Sequence, residues 1–237
     1  MSLSNALSYL TVLPIPFKKH IPLNLSVHFF PLVGAGIGSL LVLALLGFRT
    51  FLPNYLACLA VIALMEASTG GIHLRAVAEL VEGKRTYPGS GFSAESNYGW
   101  KGIVVAALIF LVTVQGLAHM RLEWQLYAVL LTPILGRSSL ALGIIFSRHR
   151  LDSAQGPLDQ AFKRRQPRAL YLTAALLFCM ALFPWKVATI LTVEYFLIML
   201  LAYRYLNRRM EGLTVQTLGT VATLVEAGFL VTCAGLS

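Results

Sequence analysis

The chain has 237 residues, of which 57% are hydrophobic and 12% are charged, and its mean hydropathy is +0.73. A soluble domain carries about 25% charged residues, so this composition excludes an ordinary soluble protein and predicts an all-α, polytopic membrane protein. The net charge of +9 requires no nucleic-acid partner, because Lys and Arg collect in the cytoplasmic loops of membrane proteins.

The apolar stretches follow a short amphipathic lead-in over residues 1–28. About seven stretches are long enough to span a bilayer, allowing for tilt. They cover residues 29–48, 55–74, 103–119, 124–146, 169–184, 187–203 and 214–236. The whole chain, residues 1–237, is therefore predicted to be a single bundle of transmembrane helices in one domain.

The basic residues orient these seven spans. If the N-terminus is cytoplasmic, the outside turns hold only Arg49, Arg121 and Lys186, and almost all other Lys and Arg face the cytoplasm. The two long loops, 75–102 and 147–168, then lie on the cytoplasmic side. This one-sided polar mass favours an enzyme at the membrane surface over a transporter, which needs openings on both sides.

The first span contains FPLVGAGIG (30–38), with glycines at 34, 36 and 38. No strand precedes these glycines, so they do not form a dinucleotide-binding fingerprint. Small residues within a membrane span instead let two helices approach closely. We therefore predict a close helix contact along this face.

The second span leads into GGIHLRAVAELVEG (70–83), where Arg75, Glu79 and Glu82 share one helical face. With Glu95 in the following loop, Glu79 and Glu82 offer the oxygen ligands that Mg²⁺ prefers. The alternative is a solvated helix end with a simple Arg75–Glu79 ion pair, and spacing alone favours that alternative. His73 lies nearby and is predicted to contact substrate or to act as a base, from its position alone.

Arg137 falls well inside the fourth span. A guanidinium is costly in hydrocarbon, so it should face the bundle interior and have a partner. A phosphate and a carboxylate such as Glu66 are equally good partners, and Glu226 is a weaker site candidate. Near the last span, Arg208 and Arg209 precede a helix N-terminus, a place that attracts phosphate groups.

Taken in order, these stretches resemble the cobalamin synthase family. The similar elements are YLTVLPIP (9–16), FPLVGAGIG (30–38), GGIHLRAVAELVEG (70–83), AESNYGWKG (94–102), PILGR (133–137) and GLTVQTLG (212–219). The resemblance implies a multi-pass enzyme of the bacterial inner membrane, adenosylcobinamide-GDP ribazoletransferase. Such an enzyme joins α-ribazole or its 5′-phosphate to adenosylcobinamide-GDP, releases GMP and completes adenosylcobalamin.

The resemblance also implies roles for individual residues. It implies that Glu79, Glu82 and Glu95 bind Mg²⁺ and that Glu79 and Glu82 act in catalysis, whereas the role of His73 rests on its position alone. Three arginines would pair with phosphates of the substrate, namely Arg137, Arg208 and Arg209. The implied partners are the two substrates and the lipid bilayer, and a homo-oligomer is left open.

The sequence departs from the family pattern at its acidic positions. Arg75 replaces the first Asp of the acidic motif, Glu replaces Asp at positions 79, 82 and 95, and Gln216 replaces another Asp. An enzyme is favoured, but two alternatives stay open. One is a divergent member that acts on another phosphoanhydride and alcohol, with Arg75 as a fixed cation in place of a metal ion. The other is a membrane scaffold that kept the fold and lost the activity.

Overall fold

The computed structural model of the chain describes residues 2–12, 27–83, 99–146, 183–209 and 215–237, with the backbone alone at positions 2, 145–146, 206–209 and 215–216. These residues form eight α-helices and no strand, which confirms the all-α prediction. The helices are α1 (Ser2–Leu10), α2 (Phe30–Phe48), α3 (Asn54–Ser68), α4 (Ile72–Val81), α5 (Trp100–His119), α6 (Leu122–Phe146), α7 (Trp185–Arg209) and α8 (Val215–Leu236).

Among the described residues, five stretches are long and apolar enough to cross a membrane. They are Val27–Phe48, Trp100–His119, Leu122–Ile144, Trp185–Tyr205 and Thr217–Leu236. A sixth crossing exists if α3 and α4 together form one broken span. The predicted span 169–184 lies outside the described residues except for its last two positions, so the count of seven stays a prediction, as does a cytoplasmic N-terminus.

The predicted second span, 55–74, is wrong as one continuous helix. The chain bends by 83° between α3 and α4. Gly70 and Gly71 both have positive φ, at 66° and 65°, a conformation that glycine adopts without steric cost. The Gly71 N–H donates to the Glu66 carbonyl at 2.8 Å, which closes the end of α3. These two glycines therefore turn the chain, so that α4 leaves the direction of α3.

The predicted close helix contact is confirmed between α2 and α6. A Cβ at Gly34 would lie 2.5 Å from the Pro133 carbonyl oxygen, and one at Gly38 would overlap the Leu130 backbone. Gly36 has open space instead. Two of the three glycines thus bring the α2 and α6 backbones together, and this packing fixes α6 in the interior of the bundle, where its side chains at Leu131 and Leu135 are buried.

A polar network lies around Gln125, near the start of α6. Gln125 accepts a 2.7 Å hydrogen bond from Arg49 and donates to Asn54 at 3.1 Å and to the Leu117 carbonyl at 3.0 Å. Gln125 is fully buried, so these contacts satisfy its own polar atoms, which water cannot reach. The network ties α3, α5 and α6 to the turn after α2.

Candidate functional site

Helix α4 carries the predicted acidic residues and packs between α5 and α8. A Cβ at Gly219 of α8 would lie 2.8 Å from the Ala76 Cβ, and one at Gly102 of α5 would lie 2.5 Å from the Ala78 carbonyl oxygen. Any side chain at either glycine would push the helices apart. The small residues on α4, α5 and α8 therefore hold α4 tightly against the bundle.

Glu79 lies on the buried face of α4 and is only 2% exposed. Its Oε1 accepts a hydrogen bond of 3.0 Å from Arg75 Nε, one helical turn earlier. Its Oε2 is buried and has no hydrogen-bond partner among the described residues. The i, i+4 ion pair that the spacing allows is thus formed, and one carboxylate oxygen remains for a ligand.

Glu82 follows the last residue of α4 and faces the start of α5. Its Oε1 accepts the backbone N–H of Gly102 at 2.7 Å. A Cβ at Gly99, the residue before α5, would overlap the same carboxylate. Because the first N–H groups of a helix have no partner within the helix, a carboxylate there satisfies one of them and interacts favourably with the helix dipole. Glu82 thus caps α5 from a neighbouring helix.

These contacts bear on the predicted Mg²⁺ site. Glu79 and Glu82 each have one oxygen bonded to the protein, and the Arg75 cation stands beside Glu79. Glu95, the third predicted ligand, lies outside the described residues. Within the part of the chain that the structure describes, no three His, Cys, Asp or Glu side chains are grouped to hold a metal ion. The described residues therefore do not fit a Mg²⁺ site by themselves.

Arg137 of α6 is fully buried in the bundle, as its place in the span predicts. Its Nη1 donates to Glu226 Oε1 of α8 at 2.5 Å. The Glu226 carboxylate lies over Gly136, where any Cβ would overlap it. Of the partners that the sequence left open, the Glu66 carboxylate makes no ion pair with Arg137 in the described structure, and Glu226 makes it instead. Because Gly136 has no side chain, the Glu226 carboxylate of α8 can reach the Arg137 guanidinium.

The other edge of the Arg137 guanidinium is unpaired within the described structure. Both Nε and Nη2 are buried and have no hydrogen-bond partner in the part of the chain that the structure describes. Glu66 Oε2 and His73 Nδ1 are also buried without partners, and Arg137 acts electrostatically on both residues. We call Arg137, Glu226, Glu66 and His73 the buried polar cluster. Buried polar groups normally have partners, so four unpartnered atoms in one cluster indicate a place for a polar ligand or water.

The two unpaired nitrogens determine which kind of ligand Arg137 can bind. Nε and Nη2 form the side of a guanidinium that binds two oxygens of a carboxylate or phosphate in parallel. Glu226 holds the opposite nitrogen, so the guanidinium is fixed in place while this fork stays available. In an interior of low dielectric constant, such a charge interacts strongly with an anion. An anionic group at Arg137, which the sequence predicts, would meet this unpaired fork.

The remaining predicted residues are only partly described. Arg208 and Arg209 form the end of α7, and the described backbone resumes at Val215, the start of α8. Their side chains lie outside the described structure, so phosphate binding there stays a prediction. Glu226, a weaker site candidate in the sequence, is the ion-pair partner of Arg137. The sequence signal for Glu226 was its position, since few acidic residues lie within the predicted spans.

Comparison with known proteins identifies relatives of this chain. The sequence model described as cobalamin-5-phosphate synthase matches residues 2–234. The chain is 25% identical over 235 residues to the adenosylcobinamide-GDP ribazoletransferase of Thermoanaerobacter pseudethanolicus, covering 95% of this chain and 94% of the relative. It is 26% identical over 232 residues to the enzyme of that name from Alkaliphilus metalliredigens, covering 91% and 88%. No solved structure matches.

Proposed function

Because the chain belongs to the cobalamin-5-phosphate synthase family, we propose that it is an adenosylcobinamide-GDP ribazoletransferase of the bacterial inner membrane. It would join α-ribazole or its 5′-phosphate to adenosylcobinamide-GDP and release GMP. A multi-pass membrane transferase of cobalamin synthesis agrees with the apolar helices of the chain and with the names of its relatives. We place the polar loops on the cytoplasmic side because these loops carry most of the basic residues of the chain.

The observation that carries this proposal is the buried, unpaired edge of Arg137. The substrate contains a pyrophosphate, and a guanidinium fork matches two oxygens of one phosphate. In the proposed reaction the hydroxyl of α-ribazole attacks the phosphorus next to cobinamide. A new P–O bond forms, the bond to the bridging oxygen breaks, and GMP leaves with that electron pair. Arg137 would stabilise the negative charge on the phosphate oxygens as it develops.

The hydroxyl proton also needs an acceptor. We assign this role to His73, whose Nδ1 is buried, has no partner and lies within electrostatic reach of Arg137. Histidine is the most frequent general base in enzymes. Glu226 would act as a positioning residue that fixes the guanidinium.

The acidic residues have proposed roles distinct from those of Arg137 and His73. Glu79 would contribute its unpartnered Oε2 to the site, next to the fixed positive charge of Arg75. Binding of Mg²⁺ by Glu79, Glu82 and Glu95, and catalytic roles for Glu79 and Glu82, stay predictions. Phosphate binding by Arg208 and Arg209 also stays a prediction.

A second candidate function has one observation in its favour. Both described carboxylates of the acidic motif make contacts within the protein, Glu79 with Arg75 and Glu82 with the start of α5. A scaffold that kept the fold and lost its activity would conserve such structural contacts. The unpaired Arg137 edge argues against this candidate, because a purely structural ion pair would not leave two buried donors unpaired.

The test is release of GMP by the purified chain. The chain in detergent is supplied with adenosylcobinamide-GDP, α-ribazole 5′-phosphate and Mg²⁺. We expect GMP release by the native chain and a loss of about 100-fold in Arg137→Lys, because lysine keeps the charge and lacks the fork. Arg121→Lys, at an exposed arginine, is the matched control and should keep full activity. A native chain without activity, in a folded preparation, supports the scaffold instead.

A further inference from the structure

The Glu66 carboxylate belongs to the buried polar cluster but has no role in the proposed reaction. Its Oε2 is buried and has no hydrogen-bond partner in the described part of the chain. Arg137, the nearby cation, pairs with Glu226 and not with Glu66. Because buried polar atoms normally have partners, the unpaired oxygen of Glu66 indicates a place for a hydrogen-bond donor from outside the chain.

The backbone holds Glu66 at a defined place. Glu66 lies in the last turn of α3, and its carbonyl oxygen accepts the N–H groups of Thr69 at 3.2 Å and Gly71 at 2.8 Å. The Thr69 hydroxyl donates to the same oxygen at 3.0 Å. These bonds form the turn that leads into α4, where His73 lies in the first helical turn. A residue fixed in this way is suited to binding a ligand group in one geometry.

The other members of the cluster lie along α8. His73 Nδ1 is 3.9 Å from the position that a Cβ at Gly219 would take. Glu226 follows on the same face of α8 two turns later and pairs with Arg137. Glu66 lies within electrostatic reach of both members of this pair. The cluster therefore extends about 10 Å along α8, at 1.5 Å per residue, which is longer than a single phosphate group.

The unpaired atoms of the cluster select two different groups of one ligand. Arg137 Nε and Nη2 can only donate, so they match the oxygens of a phosphate, which accept. A Glu66 carboxylate can only accept, and its charge repels a phosphate, so it matches a hydroxyl group. The alcohol in the proposed reaction is a ribonucleoside, and its ribose carries a second hydroxyl next to the one that attacks phosphorus. This second hydroxyl is a donor of the kind that Glu66 lacks.

We propose that Glu66 is a substrate-binding residue whose Oε2 accepts a hydrogen bond from the ribose hydroxyl next to the attacking hydroxyl. Unpaired donors on Arg137 and an unpaired acceptor on Glu66, in one buried cluster, carry this proposal. This role of Glu66 rests on the proposed function, because the ligand is the alcohol of that reaction. It makes the site select ribose over deoxyribose, since a deoxy analogue would leave the buried carboxylate unpaired.

The test compares α-ribazole 5′-phosphate with the deoxy analogue that lacks this second hydroxyl. Binding of each to the full chain in detergent is measured by isothermal titration calorimetry. We expect the native chain to bind the ribose form about 10- to 100-fold more tightly, the factor that a hydrogen bond to a charged group contributes. Glu66→Ala should weaken binding of the ribose form to the level of the analogue and leave the analogue almost unchanged. Glu194→Ala, which removes a half-buried carboxylate that Thr232 binds outside the cluster, is the matched control and should keep the full preference.

Equal Kd values of the two ligands for the native chain, or no binding of either, would overturn the proposal. A loss in Glu66→Ala that is the same for both ligands would also overturn it, because Glu66 would then contact the phosphate or only support the fold. If Glu66→Ala fails to fold, the isosteric Glu66→Gln takes its place. It should lower the preference, since an uncharged acceptor forms a weaker hydrogen bond, and an unchanged preference would count against the proposal. GMP release is measured on the same preparations, and a chain that keeps the preference but releases no GMP supports the role of Glu66 and contradicts the proposed reaction.

Discussion

Removing the Glu226 carboxylate is expected to destabilise the protein more than removing the whole ion pair. Arg137 is fully buried, and Glu226 supplies its one hydrogen bond in the described structure. Glu226→Leu leaves a buried guanidinium with no paired nitrogen, which costs about 3–5 kcal/mol in buried pairs of this kind. The double variant Arg137→Met, Glu226→Leu removes both charges and should recover most of that loss, since apolar replacements of buried pairs are neutral or stabilising.

The assay measures unfolding in detergent and GMP release on the same preparations. The double variant should unfold like the native chain and yet be inactive, because the phosphate-binding fork is gone. This combination separates a functional Arg137 from a structural one. A double variant that releases GMP at the native rate would refute the role of the fork. A Glu226→Leu variant as stable as the native chain would refute the account of the buried pair.

Three further predictions concern the packing and the acidic motif. Gly34→Ala should destabilise the bundle by about 1–3 kcal/mol because its Cβ meets the Pro133 carbonyl, whereas Gly36→Ala, which faces open space, should be neutral or slightly stabilising in the same unfolding assay. Glu82→Ala should cost about 1 kcal/mol of stability by removing the cap of α5, and Glu82→Gln, which still offers an acceptor, should restore most of it. Arg75→Asp replaces the cation beside Glu79 by a carboxylate, so binding of Mn²⁺, measured by electron paramagnetic resonance, should be stronger than in the native chain. Unchanged Mn²⁺ binding would contradict the view that Arg75 opposes a metal ion.

The membrane-spanning helices were predictable because apolar length is a direct signal of a span. The helix contact at Gly34 and Gly38 was predictable for a similar reason, since small residues in a span indicate close packing. The Arg75–Glu79 pair follows from helical spacing alone. These features depend on neighbours within one helix or on a single sequence pattern.

The bend after Ser68 was not predictable from hydropathy, because the apolar character continues across it. The pair of glycines is compatible with both a packed helix and a turn, and only their positive φ values decide. The partner of Arg137 was undetermined for another reason. Glu66 and Glu226 lie in different helices, and the choice depends on how α8 packs over Gly136. The cap that Glu82 gives to α5 likewise depends on the packing of two helices.

The most direct test of the central claim is the affinity of the chain for adenosylcobinamide-GDP. The claim is that the unpaired edge of Arg137 binds a phosphate of this substrate. A charge-assisted hydrogen bond contributes about 1.5–3 kcal/mol, so loss of the fork in Arg137→Lys should raise the Kd by about 10- to 100-fold. Arg121→Lys should leave the Kd unchanged. Equal affinities of the native chain and Arg137→Lys, or no binding by a folded native chain, would contradict the account.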